Sequence, residues 1–297
     1  WTLSRGLGDV YKRQAVRYLN MAKKDDKPFF FYLAFNAPHD PRQSPQEYLD
    51  IYPVSDIKVP ENFLDAYPHR KVMKAPHSLR DEKLAPMPRT KRSVQVARRE
   101  YFALITHMDT QIGRVLNALE KNGQLENTYI VFTADHGLGC GHHGLLGKQN
   151  MYDHSIRVPY VVVGPEVEAG KRISAPIYIQ DSVPTALEVA GVEIPEHIQY
   201  QSYIPILRGE SSGRDQIYSA YLKDAQRALT KGGYKLILYP GGGIARLYDL
   251  GTDPQEKVDL LQKGKGKDIA RRLFKALKLE AKLHGDRLDF GEYKALH

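Results

Sequence analysis

The spacing of apolar positions predicts a long amphipathic helix near the middle of the chain. Between Ser93 and Lys121, large apolar side chains recur every three or four residues, which is the helical period. They are Tyr101, Leu104, Ile105, Met108, Ile112, Val115, Leu116 and Leu119. A shorter helix is predicted to begin at Asp181 or Ser182 and to end before Gly191. Residues 15–22 are interpreted as the end of a further amphipathic helix.

Three runs rich in β-branched and aromatic residues predict buried strands. They are "PFFFYLAF" at 28–35, "TYIVFTAD" at 128–135 and "RVPYVVVG" at 157–164. The order strand, helix, strand, loop, strand predicts an α/β fold with a mostly parallel sheet flanked by helices. The segment 36–63 contains five prolines, so we expect it to be irregular over most of its length.

The chain is predicted to divide near Arg208. Residues 15–207 would form the α/β domain, and residues 208–297 a smaller C-terminal subdomain. Short alternating strands predict an antiparallel sheet there, with a basic helix after it from about Asp268 to His284. The first 14 residues, "WTLSRGLGDVYKRQ", show no periodicity that continues into the segment beginning at Ala15. We interpret them as a non-native leader or an assembly junction.

Composition and charge narrow the class of protein. The chain has 297 residues, and its longest apolar run, Phe29 to Phe35, is far shorter than the ~20 residues of a membrane helix. A single Cys excludes an internal disulfide framework. The net charge of +8 is concentrated in two segments, residues 70–99 and 263–297. Either segment could steer an anionic ligand or form a solvated surface. Neither segment interleaves aromatic residues with its basic residues, so no nucleic-acid partner is expected. The shortness of the apolar run means that no membrane partner is expected either.

Candidate chemistry gathers in "TADHGLGCGHHGLLGKQN", residues 133–150. Asp135 and His136 come directly after a predicted strand, and a carboxylate oxygen suits a hard divalent ion, while His136 could add a nitrogen or bind substrate. The glycines are expected to expose backbone amides, and Lys148 to present a charge to an anion. His39, in "FNAPHDP", comes after another predicted strand. A divalent ion, backbone amides and the charge of Lys148, if they lie together, suit the binding of a phosphate or sulfate ester.

Four segments, "PFFFYLAFNAPHDPRQ", "TADHGLGCGHHGLLGKQNMYDHSIRVPYVVVGP", "YIQDSVPTALEVAG" and "YKLILYPGGGIARLYDLGTDPQEKVDL", resemble the second half of type I sulfatases, in the alkaline-phosphatase-like superfamily. The resemblance runs from about Ala15 to about Leu261. It implies one divalent ion, usually Ca²⁺, with Asp135 as a ligand and His136 at or beside the metal. It also implies that His39 and Lys148 contact the sulfate and offset its developing charge. His143 is carried over as a candidate substrate contact.

The family's nucleophile is a formylglycine made in a C/S-x-P-x-R motif, which this chain lacks. Neither the Pro nor the Arg stands at the required positions after Cys140. Ser182 has the Pro, but Ala186 replaces the Arg, so Ser182 is interpreted as a helix start. We therefore expect an N-terminally truncated sulfatase that is inactive by itself and folds poorly, because unpaired strand edges would remain.

Three functions stay open from the residues. The first is hydrolysis of a sulfate ester, on a sulfated sugar or a related small molecule or glycan. The second is a phosphodiesterase or phosphonate hydrolase, because the same metal and Lys suit phosphoryl transfer. The third is a non-catalytic module that binds polyanions through the basic segments. The resemblance implies a periplasmic, extracellular or lysosomal location, and no oligomeric state is assigned.

Overall fold

The structure, a computed structural model, describes residues 3–24 and 27–297, with side chains from residue 13 onward. Its α-helices are α1 (Leu3–Ala22), α2 (Gln46–Asp50), α3 (Lys91–Lys121), α4 (Asp153–Ile156), α5 (Ser182–Val189), α6 (Ile204–Leu207) and α7 (Lys267–Leu283). Its strands are β1 (Ile130–Thr133), β2 (Tyr160–Val163), β3 (Gln216–Tyr221), β4 (Gln226–Lys231), β5 (Tyr234–Tyr239) and β6 (Ile244–Asp249). Because residues 1 and 2 and the side chains of residues 3–12 lie outside the described residues, the leader at 1–14 stays a prediction.

Helix α3 confirms the prediction from apolar spacing, and its start is fixed by a capping box. The Thr90 hydroxyl accepts the backbone N–H of Ser93 at 3.0 Å, and the Ser93 hydroxyl accepts that of Thr90 at 3.1 Å. One face of α3 packs against α1, where Ala15 and Leu19 are buried together with residues of α3. The predicted helix after Asp181 is also confirmed, as α5.

The strands β1 and β2 confirm two of the predicted strands, but they pair antiparallel. Ile130 lies opposite Val163, and Thr133 opposite Tyr160. The α/β class is confirmed, whereas parallel pairing is absent from the part of the chain that the structure describes. The reason is connectivity, because the long loop after β1 folds back through α4 and returns the chain beside β1 in the opposite direction.

The segment "PFFFYLAF" is extended without a ladder partner among residues 3–24 and 27–297. Its side chains alternate, as they do in a strand. Phe29, Phe31 and Leu33 pack on the cluster between α1 and α3, while Phe30 and Tyr32 on the other face are exposed. The alternation of apolar side chains therefore predicts the extended backbone correctly, but it does not predict whether another strand pairs with it.

The C-terminal region confirms the predicted antiparallel sheet and basic helix. The strands run in the order β3-β4-β5-β6, each antiparallel to its neighbour. Alternate side chains of β5 face opposite sides of the sheet. Leu236 and Leu238 pack toward α7, while Ile237 and Tyr239 pack in the cluster that includes Leu145 of the glycine-rich segment 133–150. The described helices include none that is long and apolar enough to cross a membrane.

A buried tyrosine network joins this sheet to the rest of the chain. The Tyr67 hydroxyl lies 2.8 Å from that of Tyr152 and 2.7 Å from that of Tyr239. Arg246 of β6 donates to the Tyr67 hydroxyl at 2.9 Å. Buried hydroxyls that satisfy one another lock both sides into one arrangement. The division at residue 208 stays a prediction, and it crosses a continuous buried core.

Candidate active site

Two loops bring His39 and Lys148 together, although 109 residues separate them in sequence. The Lys148 Nζ atom lies 3.4 Å from His39 Nε2, and Arg80 Nη2 lies 2.8 Å from the same nitrogen. The side chains are increasingly exposed from Lys148 (22%) through His39 (31%) to Arg80 (66%). The three side chains form a rim in which two cations flank the His39 ring, with Lys148 innermost.

Hydrogen bonding assigns the His39 tautomer. His39 Nδ1 lies 2.8 Å from the Asp40 carbonyl oxygen, which only accepts, so Nδ1 carries the proton. The lone pair on Nε2 then faces both Arg80 and Lys148, which only donate. Two cationic donors therefore share this acceptor, and both also lie near the Asp81 carboxylate. Charged N–H donors of this kind suit anionic oxygen acceptors.

Asp81 holds the inner side of this rim. Its Oδ2 atom accepts the Gln149 side-chain amide at 3.0 Å and lies 3.9 Å from Lys148 Nζ. Burial raises the pKa of Asp81, but the hydrogen bond from Gln149 and the charges of Lys148 and Arg80 outweigh it and bring the pKa below its usual value. Asp81 is therefore ionised at neutral pH and orients the cations beside it.

Glu82, the next residue, anchors the loop that carries Lys148. Its Oε1 atom accepts the backbone N–H of Gly147 at 2.9 Å and that of Leu146 at 3.2 Å. Its Oε2 atom accepts Arg70 at 2.8 Å and Arg89 at 2.7 Å. Part of the basic segment at 70–99 is thus internal, because these arginines compensate a buried carboxylate.

The expectation that the glycines expose their amides to a ligand is corrected by the structure. All five amides donate inside the chain: Gly137 to Ser155, Gly139 to Gly147, Gly141 to Leu145, Gly144 to Gly141 and Gly147 to Glu82. A Cβ at Gly139 would lie 2.6 Å from the Leu145 carbonyl oxygen, and one at Gly144 would lie 2.5 Å from that of Leu64. Glycine is needed here because the loop packs on backbone.

Asp135 and His136 lie just beyond β1, as predicted. Asp135 is 84% exposed, and its Oδ1 atom accepts the backbone N–H of His136 at 3.0 Å. His136 Nδ1 lies 3.0 Å from the Gly137 carbonyl oxygen, and its Nε2 atom lies 3.4 Å from Asp135 Oδ2. In the described ranges, no hydrogen bond or ion pair joins this pair to His39 or Lys148.

The two donors fit part of a divalent-ion site. A Ca²⁺ ion takes six to eight oxygen ligands. The exposed carboxylate of Asp135 suits it, and the His136 nitrogen suits a softer ion better. Within residues 3–24 and 27–297, no group of three or more His, Cys, Asp or Glu side chains is placed to hold a metal. By themselves, Asp135 and His136 do not complete such a site.

His143 lies apart from His39 and Lys148. Its ring stacks on Tyr152 with centroids 3.9 Å apart, and its Nε2 atom lies 3.2 Å from the Asn62 side-chain nitrogen. Burial, together with the smaller effect of the Arg246 charge, lowers the pKa of His143 to about 3. The structure thus places this predicted substrate contact in the buried core, where it packs rather than faces the rim.

The environments of Cys140 and Ser182 do not suit a catalytic nucleophile. Cys140 is buried, and burial raises the pKa of its thiol, which disfavours the nucleophilic thiolate. The Ser182 hydroxyl donates to the Ile179 carbonyl at 2.6 Å in the first turn of α5. Neither side chain is therefore available as the nucleophile of the rim.

The sequence interpretation missed Arg80, Asp81 and Glu82 as individual residues. A signal was present, because Asp81 and Glu82 are the two acidic residues among ten Lys and Arg between residues 70 and 99. Adjacent acids inside so basic a segment indicate internal pairing.

Comparison with known proteins identifies the family. The sulfatase family model matches residues 5–192, and the model for the C-terminal region of N-sulphoglucosamine sulphohydrolase matches residues 141–282. The chain belongs to the sulfatase family. A curated relative described as a sulfatase, from Formosa agariphila, is 28% identical over 256 residues, which cover 83% of this chain and 49% of the relative. The chain spans about half the length of the curated relatives it matches first.

Solved structures agree with this assignment. A protein in complex with its substrate D-glucosamine-2-N,6-O-disulfate superposes with a TM-score of 0.78 at 26% identity, covering 95% of this chain and 70% of that one. A phosphonate monoester hydrolase from Silicibacter pomeroyi superposes with a TM-score of 0.75 at 25% identity, covering 93% and 60%. The fold is therefore shared by enzymes that act on two kinds of ester.

Proposed function

We propose that the protein hydrolyses sulfate esters of sugars. The observation that carries the proposal is the convergence of Lys148 and His39 from two distant loops. A partly buried lysine beside a histidine suits an anionic group, and family membership together with a neighbour bound to a sulfated sugar makes a sulfate ester the best candidate.

Lys148 and His39 have distinct roles in this proposal. Lys148, the innermost cation, donates to the sulfate oxygens and offsets the negative charge that grows on them in the transition state. His39 donates its Nδ1 proton to the Asp40 carbonyl, so its Nε2 atom accepts from Lys148 and positions that cation beside the sulfate. Asp81 and Glu82 keep Lys148 in place, because a side chain misplaced by about 1 Å can cost about 10²-fold in rate.

Asp135 and His136 would hold one side of a divalent ion, Ca²⁺ by family resemblance. When bound, such an ion would neutralise part of the charge on the sulfate. A formylglycine would supply the nucleophile, and the 297 residues contain no C/S-x-P-x-R motif from which to make one. We therefore expect no turnover from this chain alone.

A phosphonate or phosphate ester is the second candidate substrate, because the phosphonate monoester hydrolase superposes nearly as well. The two candidates separate in one assay on the protein made from its complete open reading frame. Release of sulfate from a sulfated sugar, at a kcat/KM well above that for a matched phosphonate monoester, supports the proposal. The reverse order of kcat/KM would reject it in favour of the second candidate.

The family resemblance also implies a compartment outside the cytosol, namely the periplasm, the lysosome or the extracellular space. We propose the same for this protein. Fractionation of the source cells tests this, and recovery in the cytosolic fraction would contradict it.

A further inference from the structure

The side chain of Arg80 is the most exposed member of the rim, yet it is held in place. Its Nε atom lies 3.2 Å from Asp40 Oδ2, and its Nη2 atom lies 3.4 Å from Asp81 Oδ1 and 2.8 Å from His39 Nε2. Long arginine side chains on a surface are usually free to rotate, and ordering one costs conformational entropy. Here three neighbours offset that cost before any ligand arrives.

The remaining guanidinium nitrogen is unused. Among the described residues, Nη1 of Arg80 makes no hydrogen bond, although the side chain is two-thirds exposed. The two acids are also shared, since Asp40 serves the His39 ring and Asp81 serves Lys148 and Gln149. Nη1 can therefore bind a further anion while Nε and Nη2 keep their present partners.

The order of exposure separates the roles of the two cations. The scissile ester has to reach Lys148, which lies deepest, whereas Arg80 lies on the solvent side of His39. A group that meets Arg80 therefore sits beside the scissile ester, on the same sugar or on the next one.

We propose that Arg80 is a substrate-contacting residue that selects sugars with a second anionic group, a sulfate or a carboxylate, next to the scissile sulfate. The guanidinium fork suits the paired oxygens of either group. This inference rests on the proposed function, because it takes His39 and Lys148 as the contacts of the scissile sulfate.

The test compares two substrates on the complete enzyme, a monosulfated sugar and the same sugar with one additional sulfate. The variant Arg80→Gln is expected to lower kcat/KM for the disulfated sugar by about 10- to 100-fold, mainly through KM, because a charged hydrogen bond is lost. For the monosulfated sugar we expect a clearly smaller loss, because only the contact of Arg80 with His39 is removed. Arg80→Lys should recover part of the loss, because it keeps the charge without the fork.

The matched control is Arg92→Gln, an exposed arginine of the same basic segment that contacts neither His39 nor Lys148. It should leave both substrates unchanged. Equal losses on both substrates in Arg80→Gln would overturn the inference, because Arg80 would then act through His39. Unchanged kinetics on both would overturn it as well. A wild-type enzyme that releases no sulfate from either sugar would instead reject the proposed function.

Discussion

The carboxylate of Glu82 accepts the backbone N–H of Gly147 at 2.9 Å, and Gly147 immediately precedes Lys148. The same carboxylate is buried between Arg70 and Arg89. Glu82 thus links two features that look unrelated in sequence, the basic segment and the glycine-rich loop. The position of Lys148 depends on this buried ionic contact.

Replacing Glu82 by Gln should destabilise the fold strongly. The substitution keeps the shape but leaves Arg70 and Arg89 buried without a counter-charge, which typically costs about 3–5 kcal/mol. The measurement is the free energy of unfolding in urea, on the complete protein. Glu61→Gln, which removes an exposed pair with Lys257, should leave the midpoint unchanged. Equal midpoints for Glu82→Gln and wild type would refute the anchoring role.

Asp135→Asn should weaken binding of the divalent ion. The substitution removes the charged oxygen donor but keeps the size of the side chain, so we expect the apparent Kd for Ca²⁺ to rise by roughly 10- to 100-fold or more. Calorimetric titration of the metal-free protein measures it directly. Asp268→Asn is the control, because Asp268 is equally exposed and, among the described residues, pairs with Arg271 in α7 alone. An unchanged Kd would remove Asp135 from the metal site.

His143 should make the fold sensitive to acid. Its pKa is lowered to about 3 in the folded state by burial, against an ordinary value near 6.5. The unfolded chain therefore binds a proton first, so the stability that neutral His143 contributes is complete above about pH 6.5 and is lost as the pH falls toward 3. Burial likewise lowers the pKa of His142, to about 4, and adds to the effect.

The corresponding variant is His143→Gln, which cannot take up the proton. Its urea midpoint should fall less steeply than that of wild type between pH 7 and pH 4, even if the variant is less stable at pH 7. His197→Gln, at an exposed histidine, should keep the wild-type slope. Parallel slopes for His143→Gln and wild type would contradict a buried neutral imidazole.

Local sequence patterns predicted the helices and strands better than they predicted which strands pair. The apolar spacing of α3 and the Thr90–Ser93 capping box are encoded within a few residues, and so are the turns of the C-terminal sheet. The antiparallel pairing of β1 with β2 depends on the path of a long loop, which periodicity does not report. The segment at 28–35 keeps the alternation predicted for it, but it has no strand partner in the part of the chain that the structure describes.

The site shows the same limit. His39 and Lys148 were predicted from motifs, and the structure brings them together. Glu82 was missed because its amide partners lie 64 and 65 residues away. The glycines were expected to face a ligand because glycine lets another group approach the backbone closely. The sequence does not show whether that group is a ligand or another part of the chain. In the structure, Gly139 approaches the Leu145 carbonyl.

Sulfate release from a sulfated sugar, measured for the complete protein and its Lys148→Ala variant, tests whether the rim is the sulfate site. Loss of one preorganised cation at the developing charge should lower kcat by about 10²–10³-fold. Lys223→Ala, at an exposed lysine of the turn between β3 and β4, should keep the wild-type rate. A Lys148→Ala enzyme with near-normal kcat and KM would contradict the assignment of this rim as the sulfate site.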